Sequence, residues 1–189
     1  KFADSQQEFR TSYYGSKLIK KFSNDELELI KSISLEYGKL QKVFKRKTNP
    51  IGLNHQLSSL PSLRILSQLE DKLGTAPAVF EVGGGSGMLG HMCHRLGYQY
   101  TNFDITQSFY VFNSTIYSLM YEDSFLDTHT CLNKISYKKR NFLKNPITMI
   151  PWWHFVDEKF ALPKFNVVIL NHCFYEISRK AITIIFTRL

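Results

Sequence analysis

Glu81-Val82-Gly83-Gly84-Gly85-Ser86-Gly87 decides how the rest of this chain is read. It closes a short apolar run, residues 78–82, and opens a helix-forming segment, 87–96, that ends at Gly97. The glycines therefore form a turn between a strand and a helix. Glycine there permits positive φ and lets a ligand reach backbone that a Cβ would shield. The helix that follows presents unpaired N–H groups at its start.

Towards the C-terminus the alternation continues. Residues 98–105 are strand-like, and 108–121 read as a helix with Phe109, Phe112, Ile116 and Leu119 at helical spacing. A polar loop leads to a strand at 147–150 stopped by Pro151, then to the apolar run 165–170, then to a helix over 175–189. Strand and helix alternating four times imply βαβ units with right-handed crossovers. The predicted fold is α/β, a Rossmann-like open parallel sheet of which the first four strands are present. Ligands in such sheets bind beyond the carboxyl ends of the strands, so functional residues are expected just after Val82, Ile105, Ile150 and Leu170.

Towards the N-terminus the character is helical. Ser23 and Glu26 have the form of a capping box. Leu27, Ile30, Ile33, Tyr37, Leu40 and Phe44 then make one apolar stripe, broken by Thr48-Asn49-Pro50. A second helix is predicted over 60–73, with Pro61 in its first turn, Leu63, Leu66, Leu69 and Leu73 as its stripe and Gly74 as its stop. We expect a helical extension over 1–75 and a partial cofactor-binding domain over 76–189.

The glycine turn has two readings. Gly85-Ser86-Gly87-Met88-Leu89-Gly90 matches the GxGxxG dinucleotide fingerprint, with Asp104 near the offset of its ribose-binding acid, so an NAD-binding domain stays open. Glu81 favours a different cofactor. A dinucleotide brings a pyrophosphate to the helix start, where a nearby carboxylate is unfavourable. S-adenosylmethionine carries a sulfonium and an ammonium, which a carboxylate attracts.

Residues 80–87 resemble motif I of class I S-adenosylmethionine-dependent methyltransferases, whose acid two positions before the first glycine corresponds to Glu81. Asp104 is similar to the acid ending their second strand, which binds both ribose hydroxyls. The segments Phe103-Asp104-Ile105-Thr106-Gln107-Ser108, 147–153 and 169–178 together resemble the bacterial sugar O-methyltransferase family. The resemblance implies cofactor contacts at Glu81, Gly83, Gly84, Gly85, Gly87, Asp104, Ile105 and Asn171. It also implies a small-molecule or glycan acceptor. A class I sheet has seven strands, so the last three would lie beyond Leu189, and the fourth strand would be an apolar edge. We expect a further segment of chain, or a second copy in a homo-oligomer, to cover that edge.

Asn171-His172-Cys173-Phe174-Tyr175-Glu176 follows the fourth strand. Methyl transfer to a hydroxyl is an in-line displacement helped by removal of a proton. His172, whose type titrates near neutrality, and Glu176, one helical turn on, are the candidate catalytic groups. Asn171 and Phe174 match the ends of the [D/N]-P-P-[Y/F] motif of methyltransferases acting on base amino groups, but His172 and Cys173 replace both prolines. After Pro151, Trp152 or Trp153 could stack on an adenine or line a substrate pocket. His154 and Asp157 lack a third partner in the sequence, and no metal site is expected.

The net charge of +8 owes much to basic stretches at 39–47 and 134–144, which keep a nucleic-acid methyltransferase as an alternative. A cofactor-binding module without catalysis is a third reading. Hydrophobic residues make up 43% of the chain, which argues for a folded domain, yet no apolar run approaches membrane-spanning length. Cys93, Cys131 and Cys173 form no CxxC pair and fit reduced thiols in a cytoplasmic protein.

Overall fold

The computed structural model describes residues 22–43, 53–129, 146–171, 173 and 176–189. The chain divides into two compact units at Leu60/Pro61. In the first, helix α1 (Asn24–Val43) begins at the predicted capping box. Ser23 N–H donates to Glu26 Oε2 at 2.8 Å, and Glu26 N–H to Ser23 Oγ at 3.2 Å. Ile30, Ile33, Tyr37 and Leu40 are buried along one face, as their spacing requires.

Helix α2 spans Leu53–Leu73, seven residues earlier at its start than predicted. Pro61 lies inside it, where its missing N–H removes one ladder bond. Burial of Leu60, Leu63 and Leu66 offsets that loss, while Leu73, assigned to the stripe from sequence, is exposed. Gly74 takes φ of +68° and its N–H donates to Glu70 O, ending the helix as expected.

The second unit holds the sheet. Strand β1 (Ala78–Val82) leads through the glycine turn to α3 (Met88–Arg95), β2 (Gln99–Asp104) and α4 (Gln107–Tyr121). Then come β3 (Phe125–Asp127), β4 (Ile147–Pro151), the short α5 (Trp152–Phe155), β5 (Val167–Ile169) and α6 (Arg179–Arg188). The order is β3-β4-β2-β1-β5, with every neighbouring pair parallel. This is a Rossmann-like α/β architecture.

Helix α6 starts at Arg179, four residues later than predicted, and three details of the strands also differ from the sequence-based expectation. Strand β3 sits where a loop was predicted, because three residues are too few to display a two-residue period. Strand β4 continues into Pro151, which pairs with Asp104. Strand β5 is shorter than the apolar run and only half-buried, since among the described residues it pairs with β1 alone.

The two-residue period sorts the sheet into two faces. Phe80, Val82, Phe103 and Ile150 point one way into a core shared with Phe155, Phe160 and Ile185. Phe103 and Phe155 stack there at 4.1 Å between centroids. Glu81, Tyr100, Asn102 and Asp104 occupy the alternate positions on the opposite face. The chain runs from β1 outward on one side and returns to β5 on the other. The topological switch point therefore lies between the carboxyl ends of β1 and β5, at the glycine turn and Asn171.

Candidate functional site

The glycine turn is tied to the sheet and to α4 by hydrogen bonds. Gly83 N–H donates to Phe103 O at 2.8 Å, and Gly87 N–H to Gly84 O at 2.8 Å. Asn113 Nδ2 donates to Gly85 O at 2.9 Å, and the Tyr117 hydroxyl to Gly87 O at 2.6 Å. Glycine is required for different reasons along the turn. A Cβ at Gly84 would run into the Asn102 side chain, with Cγ at 2.8 Å. Gly85 has φ of +53°, and a Cβ there would meet only Gly83 O, at 4.0 Å. Gly85 is thus the point where the turn faces open space.

Two carboxylates flank it. Glu81, 3% exposed, stands near the end of β1. The Tyr100 hydroxyl donates to its Oε2, and Asn171 Nδ2 to its Oε1 at 3.4 Å. Burial pushes its carboxyl up to about 7, against the pull of the Tyr100 and Asn171 bonds, and nearby Asp104 adds to the rise. Asp104, also 3% exposed, ends β2. Its Oδ1 accepts Thr106 N–H at 2.8 Å and its Oδ2 accepts Gly85 N–H at 3.3 Å. Burial raises its pKa, the backbone bonds from Thr106 and Gly85 oppose that, and the Glu176 carboxylate raises it further.

The predicted cofactor residues therefore gather at one place. Glu81, Gly83, Gly84, Gly85, Gly87, Asp104 and Asn171 all border the switch point. Ile105, directly after Asp104, is 42% exposed, and Trp152, directly after Pro151 on the adjacent strand, is 46% exposed. Trp153 instead packs edge-on against Tyr110 and His129. His154 is buried beside Thr128, with Nδ1 at 3.1 Å from its hydroxyl. Glu176 is exposed, with its N–H bonded to Cys173 O at 3.0 Å. His172, Phe174, Cys131, residues 44–47 of the first basic stretch and all of the second lie outside the described residues. Among the described residues, no helix is long and apolar enough to cross a membrane.

Sequence reasoning missed Tyr100, Asn113, Tyr117 and Ser62. Asn113 and Tyr117 carried a signal, since with Tyr110 they recur at three- and four-residue steps on α4. The predicted apolar stripe was rotated from this face. Ile116 of that stripe is buried as predicted, but Phe109 and Leu119 are exposed, while Tyr110, Asn113 and Tyr117 are buried. Polar tips explain the difference, because these side chains bury by bonding the turn and, for Tyr110, Asp127 Oδ1 at 2.7 Å.

No protein-family model matches this chain, and neither does any curated protein or solved structure.

Proposed function

We propose that this chain is the cofactor-holding part of an S-adenosylmethionine-dependent methyltransferase acting on a sugar or glycoconjugate hydroxyl. One observation carries the cofactor: the buried carboxylates of Glu81 and Asp104 flank the open side of the glycine turn on adjacent strands. Together with Glu176 they give this crevice negative potential in a chain of net charge +8. Such a crevice attracts a sulfonium and an ammonium and repels a pyrophosphate. Gly85 N–H, a donor that a dinucleotide turn would offer to phosphate, is already turned to Asp104.

The residues present fit the cofactor group by group. Glu81 would hold the ammonium and Asp104 the ribose hydroxyls, and exposed Ile105 and Trp152 offer apolar surface for the adenine. When bound, S-adenosylmethionine supplies an activated methyl group. The work of this chain is to bind and orient its donor, and to exclude water from the side of the turn closed by Asn113 and Tyr117. His172 remains the candidate for taking the acceptor proton, and Glu176 the second. The acceptor class rests on the sequence resemblance.

Calorimetry with S-adenosylhomocysteine and with NAD tests the proposal. Heat with the first, and none with the second, is expected. Binding of NAD alone would replace this reading with a dinucleotide domain.

A further inference from the structure

The second half of α2 reaches the switch point through one side chain. Ser62 is 7% exposed and lies 109 positions from Asn171 in the sequence. Its hydroxyl stands across both ends of the Asn171 amide, 3.2 Å from Oδ1 and 3.0 Å from Nδ2. The same Nδ2 donates to Glu81 Oε1, and the Tyr100 hydroxyl donates to the other carboxylate oxygen. Ser62, Asn171, Glu81 and Tyr100 thus form one chain of hydrogen bonds, from a helix that precedes the sheet into the candidate cofactor crevice.

The order of donors in that chain matters. With its nitrogen towards Glu81, Asn171 stabilises the carboxylate. Turned over, its oxygen would face Glu81 and suit only the protonated acid. The carboxylate, which only accepts, selects the nitrogen, while the serine hydroxyl, which both donates and accepts, engages both ends of the amide and holds it in place. Without it, Oδ1 loses its donor and Nδ2 is held by Glu81 alone.

We propose that Ser62 is a positioning residue for cofactor binding: it anchors the Asn171 amide within reach of Glu81, so that Glu81 meets the cofactor's ammonium as a carboxylate. This rests on the cofactor reading above, but half of it concerns the unliganded protein. The groups facing Glu81 are Tyr100 and Asp104 from β2, Cys93 from α3 and Cys173 after β5. Tyr100 and both cysteines are themselves held neutral by burial, so Asp104 is the charged neighbour. Ser62 adds no charge and acts through Asn171.

The experiment has two arms. Infrared titration of the unliganded protein, with Glu81→Gln as the difference reference, follows the Glu81 carboxyl. Ser62→Ala is expected to raise its midpoint by about one pH unit, the effect of weakening one hydrogen bond to a charged group. Ser62→Thr, which keeps the hydroxyl, should restore it. The second arm is S-adenosylhomocysteine affinity against pH. If the ligand needs ionised Glu81, a midpoint moved from about 7 to about 8 weakens binding roughly ninefold at pH 6 and roughly twofold at pH 8. Ser62→Cys, close in volume and a weak donor, replaces Ser62→Ala if the latter does not fold. An unmoved Glu81 midpoint overturns the proposal, as does an affinity loss equal at both pH values. Absence of binding by the unmutated protein would sink the cofactor reading, while the first arm would still decide the role of Ser62.

Discussion

Asp104 Oδ2 accepts the backbone N–H of Gly85 at 3.3 Å, so the acid that ends β2 holds the turn that leaves β1. Its other oxygen accepts Thr106 N–H at 2.8 Å, at the start of α4. One carboxylate thereby joins three elements at the switch point, and its removal has consequences for both ligand and turn.

Asp104→Ala is expected to weaken S-adenosylhomocysteine binding by about 1–3 kcal/mol, the range for losing hydrogen bonds to a charged group. Glu81→Ala should fall in the same range. Calorimetry checks both, and unchanged affinity in both variants would refute the assignment of the crevice.

Stability should report the buried Glu81 directly. Its pKa in the folded protein is raised, from an ordinary 4.5 to about 7. The folded state therefore holds its proton more tightly than the unfolded chain does. The associated stability is fully present below about pH 4.5 and is lost as pH rises through about 7. The full loss is on the order of 3 kcal/mol. Urea denaturation at pH 5 and pH 8 tests this: Glu81→Gln should gain on the unmutated protein at the higher pH. A difference that does not change with pH would contradict it.

The glycines of the turn should separate by substitution. Gly84→Ala drives a Cβ into Asn102, and overpacking of this kind costs about 1–3 kcal/mol. Gly85→Ala meets open space, so its cost is the left-handed backbone, about 1–2 kcal/mol. Ligand affinity should distinguish the two, with Gly85→Ala losing the more because its Cβ stands where the ligand approaches. Denaturant midpoints and calorimetry on both variants measure this.

Tyr117→Phe removes the hydroxyl that donates to Gly87 O at 2.6 Å in a buried setting. About 1–2 kcal/mol of stability should go with it, since Gly87 O loses its side-chain donor. Tyr110→Phe, which removes one donor to Asp127 Oδ1 at the opposite edge of the sheet and leaves the His129 N–H bond to it, should have no effect on ligand affinity.

Much of this arrangement was legible in the residues. Glu26 after Ser23, the glycines after Val82 and Asp104 after an aromatic strand each act within a few positions of themselves. Local chemistry of that kind survives without knowledge of the fold. The buried face of α4 was not legible, because Phe109 and Leu119 are more apolar than Asn113 and Tyr117. Hydrophobicity ranks side chains by transfer from water and says nothing about a carbonyl waiting to be bonded. The three-residue β3 and the early start of α2 escaped for a related reason. Neither has a repeat long enough to stand out, and in α2 Pro61 looked like a beginning.

The sequence by itself determined that a strand turns through glycines into a helix, that acids stand at Glu81 and Asp104, and that strands and helices alternate into a parallel sheet. Those follow from spacing, backbone freedom and side-chain type. Only the tertiary structure decided that the two acids share one face beside the point where strand order reverses, and that Ser62 reaches Asn171 there. Those relations join residues of distant segments, and they exist only once sheet register and helix packing have brought those segments together.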